Sequence, residues 1–159
     1  GREGQPSFDV RKRTLRVSLF STSNVMTHAA HRKAELGPFD DSERRVIING
    51  VSVAFEDRQL GQAAYAASKG AIASMCSPAA RERVQSGIRI VANAPGLFQT
   101  PMMEGLPPEV TDKITTNITF LARLGVPEEY ALLAAQIVNN RVLNGTTIQL
   151  DRVVRLPPR

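Results

Sequence analysis

Val46-Ile47-Ile48-Asn49-Gly50-Val51 is a short, nearly continuous run of apolar and β-branched residues. Runs of this kind belong to strands buried on both faces, which is the situation of a parallel sheet with helices above and below it. Two further runs read as strands: Ile88-Arg89-Ile90-Val91-Ala92, ended by Asn93-Ala94-Pro95-Gly96, and Thr146 to Leu150 after the tight turn at Asn144-Gly145. Helical segments alternate with them. Leu15, Leu19, Val25, Met26 and Ala30 recur at near-helical spacing between Val10 and Ala34, the segment from Gln62 to about Gln85 is rich in alanine, and Pro127-Glu128-Glu129 opens a helix that runs to about Asn139. Pro78 falls inside the second helix and is expected to kink it or to leave its second half irregular. Leu97 to Pro108, with three prolines and two methionines, reads as a mobile loop followed by a short helix. Helix-strand alternation of this type predicts an α/β fold with a doubly wound parallel sheet. A first strand without an inner neighbour leaves a hydrophobic edge of unpaired backbone groups, so three strands read as part of a larger sheet.

Composition narrows the function classes. The chain has 159 residues, 42% of them hydrophobic, enough for one globular domain with a real core. No apolar run is long enough for a membrane span, and Gly1 to Lys12 is polar and charged, which leads to the expectation of a soluble intracellular protein, cytoplasmic or in the mitochondrial matrix. The single cysteine, Cys76, supports neither a disulfide framework nor a cysteine metal cluster. His28 and His31 share a helical side but have no carboxylate or cysteine at a helpful spacing, so no metal site is expected. The net charge of +5 raises the question of nucleic acid. The basic residues Arg11, Lys12, Arg13, Arg16, Arg44 and Arg45 lack interleaved aromatics for base stacking, and a patch that attracts an anionic cofactor or a thioester substrate is the better reading.

Chemistry concentrates in Ala64-Tyr65-Ala66-Ala67-Ser68-Lys69-Gly70. Residues four apart in a helix share a face, so the Lys69 ammonium reaches the neighbourhood of the Tyr65 phenol and favours its deprotonated form. By itself that spacing is common on helix surfaces. Ser52 changes the odds, because it stands just past the C-terminal end of the buried strand, where open α/β sheets hold their ligands. A hydroxyl there can donate to a substrate carbonyl or alkoxide while Tyr65 exchanges the proton.

Taken together, Ile47-Ile48-Asn49 with Ser52, Gly61-Gln62-Ala63-Ala64-Tyr65, Ser68-Lys69-Gly70, and Pro95-Gly96-Leu97-Phe98 with Thr100-Pro101 resemble the short-chain dehydrogenase/reductase family. The similarity runs from about Phe8 to Leu156 and is closest to the type II 3-hydroxyacyl-CoA dehydrogenases, the hydroxysteroid dehydrogenase type. The resemblance implies a partial Rossmann-like domain over 1–159, with a substrate loop region over 95–120. It implies hydride transfer between NAD or NADP and a secondary alcohol or ketone, a 3-hydroxyacyl-CoA or a hydroxysteroid. Tyr65 would be the general acid/base, Lys69 would lower its pKa and hold the nicotinamide ribose, and Ser52 would orient the reacting oxygen. Pro95, Gly96 and Leu97 would lie along the nicotinamide with Thr100 as a carboxamide partner, and Leu97, Phe98, Met102 and Met103 would belong to the substrate loop. The two long helices would form a homo-oligomer contact, and a non-enzymatic oligomerisation or interaction module is the alternative.

Three departures from the family pattern matter. The family's glycine-rich cofactor turn and the acidic residue after its second strand have no counterpart, so the nucleotide-binding N-terminal half is not expected within these residues, and this chain alone is expected to be weakly active or inactive. Ser18 stands where the family usually has an asparagine that supports the lysine through water. The final strand usually ends in Asp-Gly and here ends in Asp151-Arg152, where a glycine's positive φ would be missed.

Overall fold

The computed structural model describes residues 6–57, 61–105, 107–116, 118, 120 and 122–155. Helix α1 (Phe8–Leu15) passes through a π-helical turn (Arg16–Phe20) into α2 (Ser21–Ala34), and β1 (Arg45–Gly50) follows. Then come α3 (Ala63–Glu82), β2 (Ile88–Pro95), the short helices α4 (Pro101–Glu104) and α5 (Pro108–Thr116), α6 (Pro127–Asn139) and β3 (Thr147–Leu150). The strands form one parallel sheet in the order β1-β2-β3, the α/β class expected from the helix-strand alternation. Among the described residues no helix is long and apolar enough to cross a membrane.

β2 is buried along almost its whole length because both of its faces are covered. Ile88, Ile90, Ala92 and Ala94 point to the side where Met26 and Ala30 of α2 and Ile72, Cys76 and Ala80 of α3 complete the core. Ile137 of α6 is fully buried, and the buried Arg89 side chain ties that helix to the sheet. Its guanidinium donates to the carbonyls of Ile137, Val138 and Leu143 at 2.8–3.0 Å and to Glu43 at 2.9 Å. The last carbonyls of α6, which no helical N–H can reach, are thereby satisfied.

Two expectations are corrected. The second strand does not stop at Ala92 but runs to Pro95, because Ala92 to Pro95 pair with Thr147 to Leu150. Pro78 does not make the second half of α3 irregular: the helix continues to Glu82, with Ile72, Cys76 and Ala80 buried one turn apart. Burial at that spacing outweighs the one backbone bond that a proline removes.

After β3 the chain turns through Arg152 (φ +54°) and Val153 (φ +61°), left-handed at the place where the family pattern has glycine. Arg152 is held there by Glu129 at 2.5 Å and by the Arg123 carbonyl at 2.6 Å. The same Glu129 pairs with Arg123 at 2.8 Å and accepts the Val126 N–H at 2.9 Å, and the Arg123 bond is the main reason its carboxyl is held down to about 2. Val153 donates its N–H to the Asp151 carboxylate at 3.0 Å, but its side chain has no comparable anchor and the residue is 64% exposed. A β-branched residue in this conformation is strained by roughly 1–2 kcal/mol, partly offset by the flexibility of glycine. Val153→Gly is therefore expected to stabilise the fold by roughly 0.5–1 kcal/mol, read as a rise in the urea midpoint with unchanged slope.

Candidate active site

Parallel strands put all their C-terminal ends on one edge. Ser52 stands two residues past the end of β1, Pro95 ends β2 and Gly96 follows it. Val51 N–H donates to the Asn93 carbonyl at 2.8 Å, which carries the β1–β2 pairing up to the residue before Ser52. Gly96 lies so close to the chain after β3 that a Cβ on it would stand 2.9 Å from the Asp151 Cα, and its N–H donates to the Leu150 carbonyl at 3.0 Å.

Ser52 caps the short 3-10 turn Val53–Phe55 by accepting the Ala54 N–H at 3.3 Å. Because the hydroxyl oxygen is the acceptor in that bond, its own proton stays available to a ligand. Across the edge, Gly61 turns the chain with φ +83° just before α3, and Tyr65 sits in the first turn of that helix. Lys69 lies one turn deeper. Its ammonium is 5.6 Å from the centroid of the Tyr65 ring and donates to the Gly50 carbonyl at 3.0 Å, tying α3 to the end of β1. Partial burial holds the Lys69 ammonium below the usual lysine range.

A cleft of about 840 Å³ opens at this edge. Ser52, Tyr65, Pro95, Gly96, Leu97, Phe98, Thr100 and Met103 all line it, while Lys69 stands behind Tyr65. Thr100 caps α4 by accepting the Met103 N–H at 3.4 Å, leaving its hydroxyl proton free. The Met102 side chain, and residues 106, 117 and 119 of the expected substrate region, lie outside the described residues. The short helix expected after this segment is α5, and the segment itself also holds the single-turn helix α4.

Sequence reasoning missed several walls. Pro6, just before α1, and Val10 and Thr14 of α1 close the cleft on one side, and Pro127 with Tyr130 closes it from α6. Pro127 and Tyr130, three apart in a helix, share a side, but nothing local in the sequence says which element that side faces. Ser18 lies within the π turn, and its carbonyl accepts the Thr22 hydroxyl at 2.7 Å. π turns of this sort often mark functional positions.

Comparison with known proteins agrees with this fold. Residues 6–111 match the profile of the family described as short chain dehydrogenase. The 3-hydroxyacyl-CoA dehydrogenase type-2 of Mus musculus is 44% identical over 147 residues, which cover 92% of this chain and 56% of that protein. The (3R)-3-hydroxyacyl-CoA dehydrogenase of Homo sapiens is 36% identical over 109 residues, 67% of this chain and 41% of that protein. Among solved structures, the 3-hydroxyacyl-CoA dehydrogenase type-2 from Mycobacterium avium superposes with a TM-score of 0.91 at 34% identity, covering 97% of this chain and 60% of that one. The chain thus spans a little over half the length of the type-2 relatives it matches.

Proposed function

This chain belongs to the short-chain dehydrogenase family, and from that premise we propose that it carries the catalytic residues of an oxidoreductase that moves hydride between NAD or NADP and a secondary alcohol or its ketone. The substrate class is a 3-hydroxyacyl thioester or a hydroxysteroid. The observation that carries the reading is the shared cleft of Ser52 and Tyr65 at the C-terminal sheet edge, with the Lys69 ammonium over the Tyr65 ring.

The cleft fits the nicotinamide end of a dinucleotide. Its volume of about 840 Å³ falls in the ~300–1,000 Å³ range of small-molecule sites. The hydroxyls of Ser52, Tyr65 and Thr100 beside the Pro95–Gly96 backbone offer partners for a ribose and an amide. The pyrophosphate end is not matched, because among the described residues no glycine-rich turn leads from a strand straight into a long helix. Bound there, a nicotinamide supplies the hydride acceptor or donor.

In the oxidising direction Tyr65 takes the hydroxyl proton of the alcohol, and Ser52 donates to the same oxygen and fixes its direction. Lys69 counters the negative charge that rests on the Tyr65 oxygen between proton transfers, and its remaining protons would be the ones to hold a nicotinamide ribose. Residues 95–120 act as the substrate loop of this single domain. Ser18 takes the place of the usual asparagine with a shorter side chain and no amide, which weakens the support of Lys69. With the pyrophosphate anchor unmatched, this chain alone turns over weakly or not at all.

A second reading, a non-enzymatic oligomerisation module, is favoured by the exposure of Phe8, Val17, Phe20 and Val25 along the N-terminal helical segment. Native mass spectrometry separates the two, since a monomer at micromolar concentration counts against the module. For the leading reading, NADH formation from 3-hydroxybutyryl-CoA is expected to be slight, and Tyr65→Phe is expected to lower whatever is present by ~10²-fold or more. Turnover that Tyr65→Phe leaves untouched would contradict it.

A further inference from the structure

The chain contains two tyrosines and no tryptophan, and both tyrosines line the same cleft. Tyr65 is accounted for above; Tyr130 is not. Its ring is aimed by a chain of contacts that begins at Gly125. Leu97 and Gln99 are tied to that glycine on either side of Phe98: Gly125 N–H donates to the Leu97 carbonyl at 2.9 Å, and Gln99 N–H to the Gly125 carbonyl at 2.7 Å. The Phe98 ring lies directly on the glycine, where a Cβ would fall 2.6 Å from two ring carbons. From that seat Phe98 meets Tyr130 edge-on, with centroids 6.1 Å apart and planes at 87°. Such a pair fixes the orientation of both rings.

The Tyr130 hydroxyl makes no hydrogen bond with any described residue. Besides Phe98, the cleft that Tyr130 lines carries the apolar side chains of Leu97, Met103 and Pro127. A ligand that covers this wall desolvates the hydroxyl and must give it an acceptor or carry the cost of an unpaired polar group. We propose that Tyr130 is a substrate-contacting residue that donates to the thioester carbonyl of a 3-oxoacyl or 3-hydroxyacyl ligand whose oxygen at C3 lies between Ser52 and Tyr65. This deepens the proposed function and rests on it. It selects an acyl thioester, which presents two oxygens on alternate carbons, over a compound with a single oxygen and an apolar body. Tyr130 then contributes to which substrate is held, and Gly125 contributes by allowing Phe98 its seat.

The test compares two probes in NMR titrations of the chain with ring-labelled tyrosine, so that only two side chains report. S-acetoacetylpantetheine carries both oxygens, and S-(3-oxobutyl)pantetheine lacks the thioester carbonyl but is otherwise alike. Tyr130→Phe keeps the ring and its contact with Phe98. It is expected to raise the Kd of the thioester by about fivefold while leaving that of the thioether within about twofold. Tyr65→Phe is expected to weaken both probes. If Tyr130→Phe weakens both equally, or neither, while Tyr65→Phe still weakens both, this inference is overturned and the proposed function stands. If the unsubstituted chain binds neither probe, or Tyr65→Phe has no effect, the reading of the cleft falls and this inference with it.

Discussion

The parallel pairing of β1 with β2, from Arg45 opposite Ile88 to Gly50 opposite Asn93, sets the position of everything at the cleft. It brings Ser52 and the Pro95–Gly96 bend to the same edge of the sheet, and the Val51 to Asn93 bond holds that alignment up to the last residue before the serine. Side-chain period in a strand is two, so a slip of one residue would move Ile47 and Asn49 off the α2–α3 face and turn Ser52 the other way. Burial resists such a slip, because Ile90, Ala92 and Ala94 are packed beneath α2 and α3. The hydrophobic core and the chemistry therefore depend on one register.

The helix that bears Tyr65 and Lys69 is tied to that register twice. Its buried residues Ile72, Cys76 and Ala80 pack on the sheet, and the Lys69 ammonium reaches across to the carbonyl of Gly50 at 3.0 Å. The second tie has a cost. A cation drawn partly out of water loses some of the hydration that favours its charge, in accord with the downward shift imposed on Lys69 by burial. A group held in this way is short of partners, as expected for one that meets a ligand. The other walls are set by close approaches that leave no room for a side chain, at Gly96 against Asp151 and at Gly125 beneath Phe98.

Much of the sheet was legible because its strands carry their burial in their composition. Val46 to Val51 and Ile88 to Ala92 are apolar enough to be read as covered on both faces. The continuation to Pro95 was not legible, since Asn93-Ala94-Pro95-Gly96 has the look of a turn and becomes strand only through pairing with β3. Pro78 misled for a similar reason: the packing of α3, which keeps it helical, lies in residues distant in sequence. Arg152 was anticipated correctly as a residue in a glycine's place, although the ion pair with Glu129 that holds it could not be foreseen. In the cleft, the motif residues Ser52 and Tyr65 both stand on the lining. Tyr130 and Val10 were missed because their membership depends on how α6 and the N-terminal helix dock, which no local pattern encodes.

Backbone geometry thus precedes side-chain chemistry in this chain, and the most direct test is of the backbone. Nuclear Overhauser effects between backbone protons of the isotopically labelled chain report strand pairing residue by residue. The account predicts cross-strand contacts between Ile47 and Ile90 and between Asn49 and Ala92, with the Val51 amide proton near Asn93. Contacts displaced by one or two residues, or none between these segments, would contradict it and would remove the basis for a shared site of Ser52 and Tyr65.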